Sequence, residues 1–361
     1  ESFETYNIVQ EGDIIFRLTD LQNDKRSLRT GLCKERGIIT SAYVALRTIW
    51  KIDSRYYHYL FHSYDICKVF YGMGDGVRQG MNYADLRSLK VLLPSFPEQQ
   101  AIATYLDTKC TEIDELVALQ DKMIEELKAY KQSVITEAVT KGLDKNVKMK
   151  DSGVEWIGEV PEHWRICYLK QVVQTTSGST PVNIQGKSSG SNIKWIRTTD
   201  LTNGDVFDTS EYINEIELNS CSCPWLIAGT VLVAMYGGAG TIGKCGIMNF
   251  DGTINQALCA LTCSKDIYNR YLLKCLIAFR KHWMVYAVST RKDPNINQEI
   301  VKNDLICIPP IEEQQSIATY LDTKCSEIDA LIAIKQKKIE ELKEYKKSLI
   351  YECVTGKKEV M

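Results

Sequence analysis

Catalytic equipment is what this sequence most lacks. Its 361 residues contain only four histidines, His58, His62, His163 and His282. None falls in H-E-x-x-H, and G-x-S-x-G and Asn-Pro-Pro-Tyr-type motifs are absent. No zinc protease, nucleophile elbow or methyl-transfer site is therefore readable. His58 and His62 have H-x3-H spacing, but C-x-x-C occurs nowhere, which removes the other half of a zinc finger. Long apolar runs are missing as well. The longest stretches, such as GTVLVAMY, are strand-sized, which excludes a membrane-spanning helix. The opening ESFETYNIVQEGD has neither the basic nor the apolar region of a secretion signal. Without an initiator Met it reads as a processed or truncated end.

A basic excess is also wanting. Net charge is −2, and residues 1–93 hold 13 Lys+Arg against 11 Asp+Glu, residues 151–308 14 against 15. Any nucleic-acid-binding face must be local, because net charge does not reveal one. Cysteine, by contrast, is plentiful at 13 residues, an odd number in a large chain. Cys259 in ALCALTC and Cys307 in LICIPP sit in apolar patterns. Reduced, partly buried thiols in a cytoplasmic protein are expected, with no disulfide framework. The pairs Cys221/Cys223 and Cys259/Cys263 are too sparse to argue for zinc, and no metal or cofactor is expected.

What the sequence does have is an internal repeat. LPSFPEQQAIATYLDTKCTEIDELVALQDKMIEELKAYKQSVITEAVT (93–140) recurs as IPPIEEQQSIATYLDTKCSEIDALIAIKQKKIEELKEYKKSLIYECVT (308–355). The spacing of 215 residues is far too long for a solenoid and indicates a duplicated module, a domain followed by a helix. It holds upstream too, where GIITSAYVALRT (37–48) aligns with GTINQALCALTC (252–263). Likewise NYADLRSLKVLLP (82–94) aligns with NQEIVKNDLICIPP from Asn297. The helices are nearly identical while the globular parts have diverged, so the helices share one task and the domains perform different versions of another. In this register the first copy lacks a counterpart of residues 151–215, about 65 residues.

After each LP or IPP the prolines are expected to end a strand, and EQQ to open a helix with carboxylates in its first turn. Leu106, Cys110, Ile113, Val117, Gln120, Ile124, Leu127, Lys131, Val134 and Ala138 step by fours and threes. Leu321, Cys325, Ile328, Ile332, Lys335, Ile339, Leu342, Lys346, Leu349 and Cys353 do the same in the second copy. A 3.5-residue period sustained this long predicts a coiled coil, with Gln120/Lys335 and Lys131/Lys346 as polar interruptions at matching places. The economical arrangement pairs the two copies antiparallel within one chain; homodimerisation through each helix is the alternative.

Residues 151–308 read as mixed strands and short helices. SNIKWIRTTDLTNGDV is expected to be a strand entering a turn, AGTVLVAMYGG a buried strand, and IYNRYLLKCLIAFRKHWMVYAV a helix. Polar loops are expected at 175–192 and 237–244. The second of these holds G-x-x-x-x-G-K, from Gly238 to Lys244, most of a phosphate-binding P-loop. Three features oppose nucleotide hydrolysis. CGIMNFDG after Lys244 reads as a strand and not a helix, Cys245 occupies the Ser/Thr position, and the sister stretch LQNDKRSLRT has no glycine. The loop is better suited to contacting a phosphate through its backbone, Thr241 and Lys244, without catalysis.

Two variable domains, each followed by a near-identical long helix, with SGVEWIGEVPEHW opening a copy and LPxxEQQxIAxYLD-like sequence opening each helix, resemble the specificity subunit of type I restriction-modification systems. The resemblance covers essentially the whole chain. It implies an α+β fold, with two mixed α/β target recognition domains separated by a pair of long antiparallel coiled-coil helices in a pseudo-twofold internal repeat. The divisions are 1–93 for a first recognition domain lacking its N-terminal part, 94–143 for a spacer helix, 144–308 for a second recognition domain and 309–361 for a second helix. It further implies a non-catalytic chain in which each domain reads half of a bipartite site on double-stranded DNA. The helices set the gap and dock two methyltransferase subunits that bind S-adenosylmethionine, joined in the full complex by restriction subunits. The missing start puts reading of the first half-site by this piece alone in question.

Such domains place polar side chains at base edges and anchor on phosphates. The candidates in the second domain are Thr176, Ser177, Ser179, Lys187, Arg197, Thr199, Tyr236, Thr241, Lys244, Arg291 and Lys292. In the first they are Arg17, Thr19, Lys25, Arg26, Ser41, Tyr43, Arg78 and Gln79. The competing reading is a coiled-coil scaffold whose globular domains bind protein partners.

Overall fold

The computed structural model of the chain describes residues 6–19, 29–73, 80–81, 83–181, 192–237, 240–290 and 295–360. Contacts divide the chain into two compact units, one of residues 1–125 and 332–361, the other of residues 126–331. Each long helix therefore contributes to both units.

The first unit holds β1 (Asn7–Val9), β2 (Ile14–Arg17), β3 (Thr30–Leu32), β4 (Gly37–Ile39), β5 (Tyr43–Leu46), α1 (Ser54–Ile66), α2 (Tyr83–Arg87) and the start of α3 (Phe96–Lys141). Strands β3-β2-β5 form one antiparallel sheet and β1-β4 a ribbon. Asp53 caps α1, accepting the Arg55 N–H at 2.9 Å. The core joins Phe16, Tyr56, Leu60 and Phe70 to Leu106 and Cys110 of α3, and to Leu349 and Cys353 of the final helix. Burying each of the large apolar side chains contributes about 1.5–3 kcal/mol.

The second unit holds β6 (Met149–Asp151), β7 (Glu159–Pro161), β8 (Arg165–Tyr168), β9 (Val173–Ser177), β10 (Ile193–Ile196), β11 (Gly204–Val206), β12 (Tyr212–Ile213) and α4 (Glu215–Asn219). It continues through β13 (Val231–Ala234), β14 (Cys245–Met248), β15 (Thr253–Ile254), β16 (Leu258–Cys263), α5 (Asn269–Thr290), α6 (Gln298–Lys302), β17 (Leu305–Ile308) and the start of α7 (Ile311–Val354). Its main sheet has the order β11-β14-β13-β16-β9. All four residues of VLVA in β13 are buried because both faces of the sheet are covered. Val231 and Val233 meet Leu272, Leu276 and Trp283 of α5, whereas Leu232 and Ala234 meet Ile196, Leu201 and Val206 on the other face.

The two units repeat specific contacts at the 215-residue spacing. Gln99 accepts the Asp53 N–H at 2.9 Å and donates to the Pro94 carbonyl at 2.9 Å. Gln314 accepts the Tyr268 N–H at 2.8 Å and donates to the Pro309 carbonyl at 3.0 Å. Strand pairing repeats as well: β2 lies between β3 and β5, as β13 lies between β14 and β16. Along the long helices Leu106, Cys110, Ile113, Val134, Ala138, Leu321, Cys325, Ile328, Leu349 and Cys353 are buried, as the period requires. Lys131 pairs with Asp329 at 2.6 Å and Lys346 with Asp114 at 2.7 Å.

Three expectations need correction. Thr175, Thr176 and Ser177 are not loop residues, because they complete β9 against Leu261, Ala260 and Cys259 of β16. The LICI stretch before IPP is strand β17, paired with β8, but KVLL before LP in the first copy forms no strand. The difference is one of pairing: LICI lies against β8, whereas among the described residues KVLL has no strand beside it. The helices also begin two residues earlier than EQQ, at Phe96 and Ile311. Among the described residues no helix is long and apolar enough to cross a membrane, and no three His, Cys, Asp or Glu side chains cluster as metal ligands.

Candidate nucleic-acid interface

Register brings several loops of the second unit to one end of the main sheet. There β9 ends at Ser177 opposite Cys259, β13 ends at Ala234 opposite Leu258, β14 begins at Cys245 opposite Val233, and β11 begins at Gly204 opposite Gly246. The loops leaving this end are cross-linked. Asn203 donates its N–H to the Cys245 carbonyl at 2.9 Å, and its side-chain oxygen accepts the Cys245 N–H at 3.0 Å. The Ile296 N–H reaches the Met235 carbonyl at 2.8 Å. Behind β9, Gly178 approaches so closely that a Cβ would lie 2.1 Å from the Ile254 carbonyl oxygen, so only glycine fits.

The Gly-rich stretch is the hairpin loop between β13 and β14. Gly243 and Ala234 close it, with the Gly243 N–H on the Ala234 carbonyl and the Ala234 N–H on the Lys244 carbonyl, both at 2.8 Å. A strand follows Lys244, so the helix N-terminus that a nucleotide phosphate needs is missing. Arg280 of α5 clamps the loop, its Nε on the Ile242 carbonyl at 2.9 Å and Nη2 on the Gly240 carbonyl at 2.8 Å. Gly243 has φ +70°, and a Cβ there would sit 2.8 Å from Arg280 Cγ.

Tyr236, Thr241 and Lys244 are half-buried on this loop, and Thr241 packs against Gly237 beside Thr198. Burial raises the Tyr236 hydroxyl pKa, so the phenol stays a neutral donor. Thr199 is exposed in the single turn after β10, and Thr176 is exposed on β9. The Ser179 carbonyl accepts Trp195 Nε1–H at 3.2 Å, tying the end of β9 to β10. Two candidates are engaged inside the fold. Ser177 donates to Gln298 Oε1 at 2.8 Å, and Arg197 pairs with Glu211 at 3.2 Å and donates to Ser210 Oγ at 3.1 Å.

In the first unit Arg17 and Tyr43 are register partners on β2 and β5. Ser41 lies exposed in the turn before β5, and the Thr19 carbonyl accepts Arg29 Nη1–H at 2.6 Å. These four candidates share the corresponding end of the smaller sheet. Lys25, Arg26, Arg78, Gln79, Lys187, Arg291 and Lys292 lie outside the described residues. Sequence reasoning missed Arg280, Asn203 and Gln298. Arg280 is 38 residues from the carbonyl it holds, and nothing in a helical period points to a distant loop; Asn203, in TNGD, carried at most a turn signal.

Residues 161–344, just over half of the chain, match the family described as type I restriction modification DNA specificity domain. The MjaVIII type I restriction enzyme specificity subunit of Methanocaldococcus jannaschii is 28% identical over 334 residues, covering 90% of this chain and 75% of that one. The EcoBI specificity subunit of Escherichia coli is 26% identical over 250 residues, covering 66% and 52%. In fold, the chain resembles one in a structure of type I R-M complex assembly and conformational transition, at TM-score 0.77, 17% identity and coverage of 96% and 83%. The HsdS subunit of Thermoanaerobacter tengcongensis gives TM-score 0.56 at 17% identity, covering 97% and 82%. With no strand-to-helix phosphate site at Lys244, and with a family match spanning β8 to the last helix, the chain belongs to the type I restriction-modification specificity subunits.

Proposed function

We propose that this subunit recognises a bipartite site on double-stranded DNA, with residues 1–93 and 144–308 as target recognition domains and helices 94–143 and 309–361 as spacers. The observation that carries the reading is the loop cluster at one end of the doubly covered sheet. It gathers neutral donors (Thr199, Tyr236, Thr241) and the Lys244 cation on a base that Arg280 clamps. Hydroxyls suit base edges and phosphate oxygens, and Lys244 suits a phosphate. The chain supplies recognition, and catalysis belongs to its partners.

The spacer role rests on helical contacts that repeat under the 215-residue spacing. Lys131 with Asp329 and Lys346 with Asp114 are the same pair with the copies exchanged, as an antiparallel, pseudo-twofold coiled coil requires. In this reading the helices set the gap between half-sites and dock two methyltransferase subunits, with restriction subunits completing the complex. The test is methylation mapping of host DNA with the gene intact, deleted, or carrying Lys244→Ala with Thr241→Ala. Loss of a two-part methylated sequence on deletion, and its weakening or change in the variant, is expected. An unchanged methylome on deletion overturns the reading.

A further inference from the structure

The turn after α4 brings two thiols into contact. Asn214 caps the helix by accepting the Glu217 N–H at 2.8 Å, and the chain leaves it through Cys221, Ser222 and Cys223. Cys221 donates its S–H to Cys223 Sγ at 2.7 Å. Both are half-buried free thiols, and Ser222 between them is exposed. Pro224 favours an extended Cys223, and the bridge from Leu226 to Gly252 anchors the far side of the turn.

Cys223 joins this turn to the proposed recognition loops. It donates its S–H to the Ser179 carbonyl at 3.2 Å, the same oxygen that accepts Trp195 Nε1–H at 3.2 Å. The thiols form a relay from Cys221 through Cys223 to Ser179, which follows β9 at the loop end of the main sheet. Burial and the Cys221 side chain push the Cys223 thiol pKa up, so the reduced group stays a protonated donor. The 215-residue spacing puts Tyr6 and Ile8 at the equivalent places of the first unit, which therefore has no such pair. Among the described residues no third His, Cys, Asp or Glu joins the thiols as a metal ligand, so the chemistry open to them is that of a dithiol.

We propose that Cys221 and Cys223 form a reversible redox modification site whose oxidation releases the Ser179 carbonyl. The oxidant is a hydroperoxide. The Cys221 sulfur, as thiolate, attacks the O–O bond and becomes a sulfenic acid, and the other oxygen takes up the Cys221 proton and leaves as an alcohol. The Cys223 sulfur then attacks the Cys221 sulfur, forming S–S and breaking S–O. The departing hydroxide takes the Cys223 proton and leaves as water. Two thiols and one hydroperoxide thus give one disulfide, one alcohol and one water. Two external thiols restore the pair by exchange and become a disulfide themselves. Oxidised Cys223 has no hydrogen to donate, so Ser179 keeps Trp195 and loses its other donor. The consequence for DNA rests on the proposed recognition reading, whereas the chemistry of the pair does not.

The test treats the 361-residue protein with a stoichiometric hydroperoxide, blocks the remaining thiols with iodoacetamide and digests with trypsin. Residues 198–244 form one tryptic peptide that holds these two cysteines and no others. It is expected to lose two hydrogens before the other cysteines react, and to regain them with dithiothreitol. Cys223→Ser is expected to stop at a Cys221 sulfenic acid, trapped by dimedone. The Gly178 and Ser179 amides donate to the Leu258 and Ile254 carbonyls. Their hydrogen exchange is expected to quicken about fivefold on oxidation, the worth of roughly one hydrogen bond. Peroxide is expected to leave it unchanged in Cys223→Ser, which keeps a donor. Selective DNA binding by the assembled complex is expected to fall by a similar factor and to recover with dithiothreitol. A peptide oxidised no faster than the other cysteines overturns the proposal, as does a disulfide that leaves exchange at Gly178 and Ser179 unchanged. Both readouts work without DNA. A chain that passes both but binds no DNA in either state supports the site and counts against the recognition reading instead.

Discussion

Lys335 of α7 donates to Gln120 of α3 at 3.4 Å, and the two residues are 215 positions apart, so each meets its own counterpart from the other copy. In the proposed antiparallel pairing, a residue facing its own repeat marks the centre. The ion pairs Lys346–Asp114 and Lys131–Asp329 fall one to each side of it along the helices. In that reading, the polar seam position selects register more than it adds stability.

Lys131→Ala and Lys346→Ala are each expected to lower stability by no more than about 1 kcal/mol, since their Asp partners are 57% and 64% exposed and solvent screens such pairs. Lys131→Asp combined with Asp329→Lys is expected to recover most of the loss seen in Lys131→Asp alone. Chemical denaturation of the single and double variants measures the coupling.

Gln314→Leu is expected to be far more costly. The Gln314 side chain is fully buried and satisfies the Tyr268 N–H and the Asp266 and Pro309 carbonyls. Leucine leaves these groups without that partner, at about 1–3 kcal/mol for each one left unsatisfied. Gln99→Leu acts in the same direction in the first unit. Urea unfolding curves check both, with a fall in midpoint as the expected result.

Lys244→Ala is expected to weaken DNA binding by the assembled complex nearly uniformly across sequences. The slope of log affinity against log salt should fall by about one. Arg280→Ala removes the clamp on the same loop without removing a phosphate contact. It is expected to blur sequence preference more than it changes the salt slope. Binding isotherms on cognate and scrambled duplexes at several salt concentrations separate the two effects.

His58 gives a pH signature. Burial holds its imidazole pKa down at about 4, against an ordinary 6.5, and depresses His62 in the same way. Above pH 6.5 the neutral ring is shared by folded and unfolded chains, and stability is unaffected. As pH falls from 6.5 towards 4 the unfolded chain takes up protons that the folded one refuses, so stability is lost across that window. His58→Gln is expected to flatten the decline between pH 6.5 and 4, read as melting temperature against pH.

Much of the scaffold was legible because periodicity reports burial. Leu106, Cys110, Leu321 and Cys325 step at 3.5 residues and are buried, and GTVLVAMY is a strand covered on both faces. The decoy at Lys244 was readable from the strand-like residues that follow it. KVLL misled because a strand is a property of two segments, and its sequence could not disclose that no strand lies beside it among the described residues. Ser177 and Arg197 were chosen as surface polar residues, but Gln298 and Glu211 reach them from other elements, contacts that no local pattern encodes.

The doubly covered sheet beneath the loop cluster separates two demands on the second unit. Val231 to Ala234 and their neighbours fix where the loops start and stop, and within the loops Met235, Ile242 and Leu201 are the residues that reach back into the core. Loops held this way tolerate changes of length and composition that a core does not. In the proposed reading, new DNA preferences are therefore reachable through a few edits in short connections, with folding left to a foundation that stays the same.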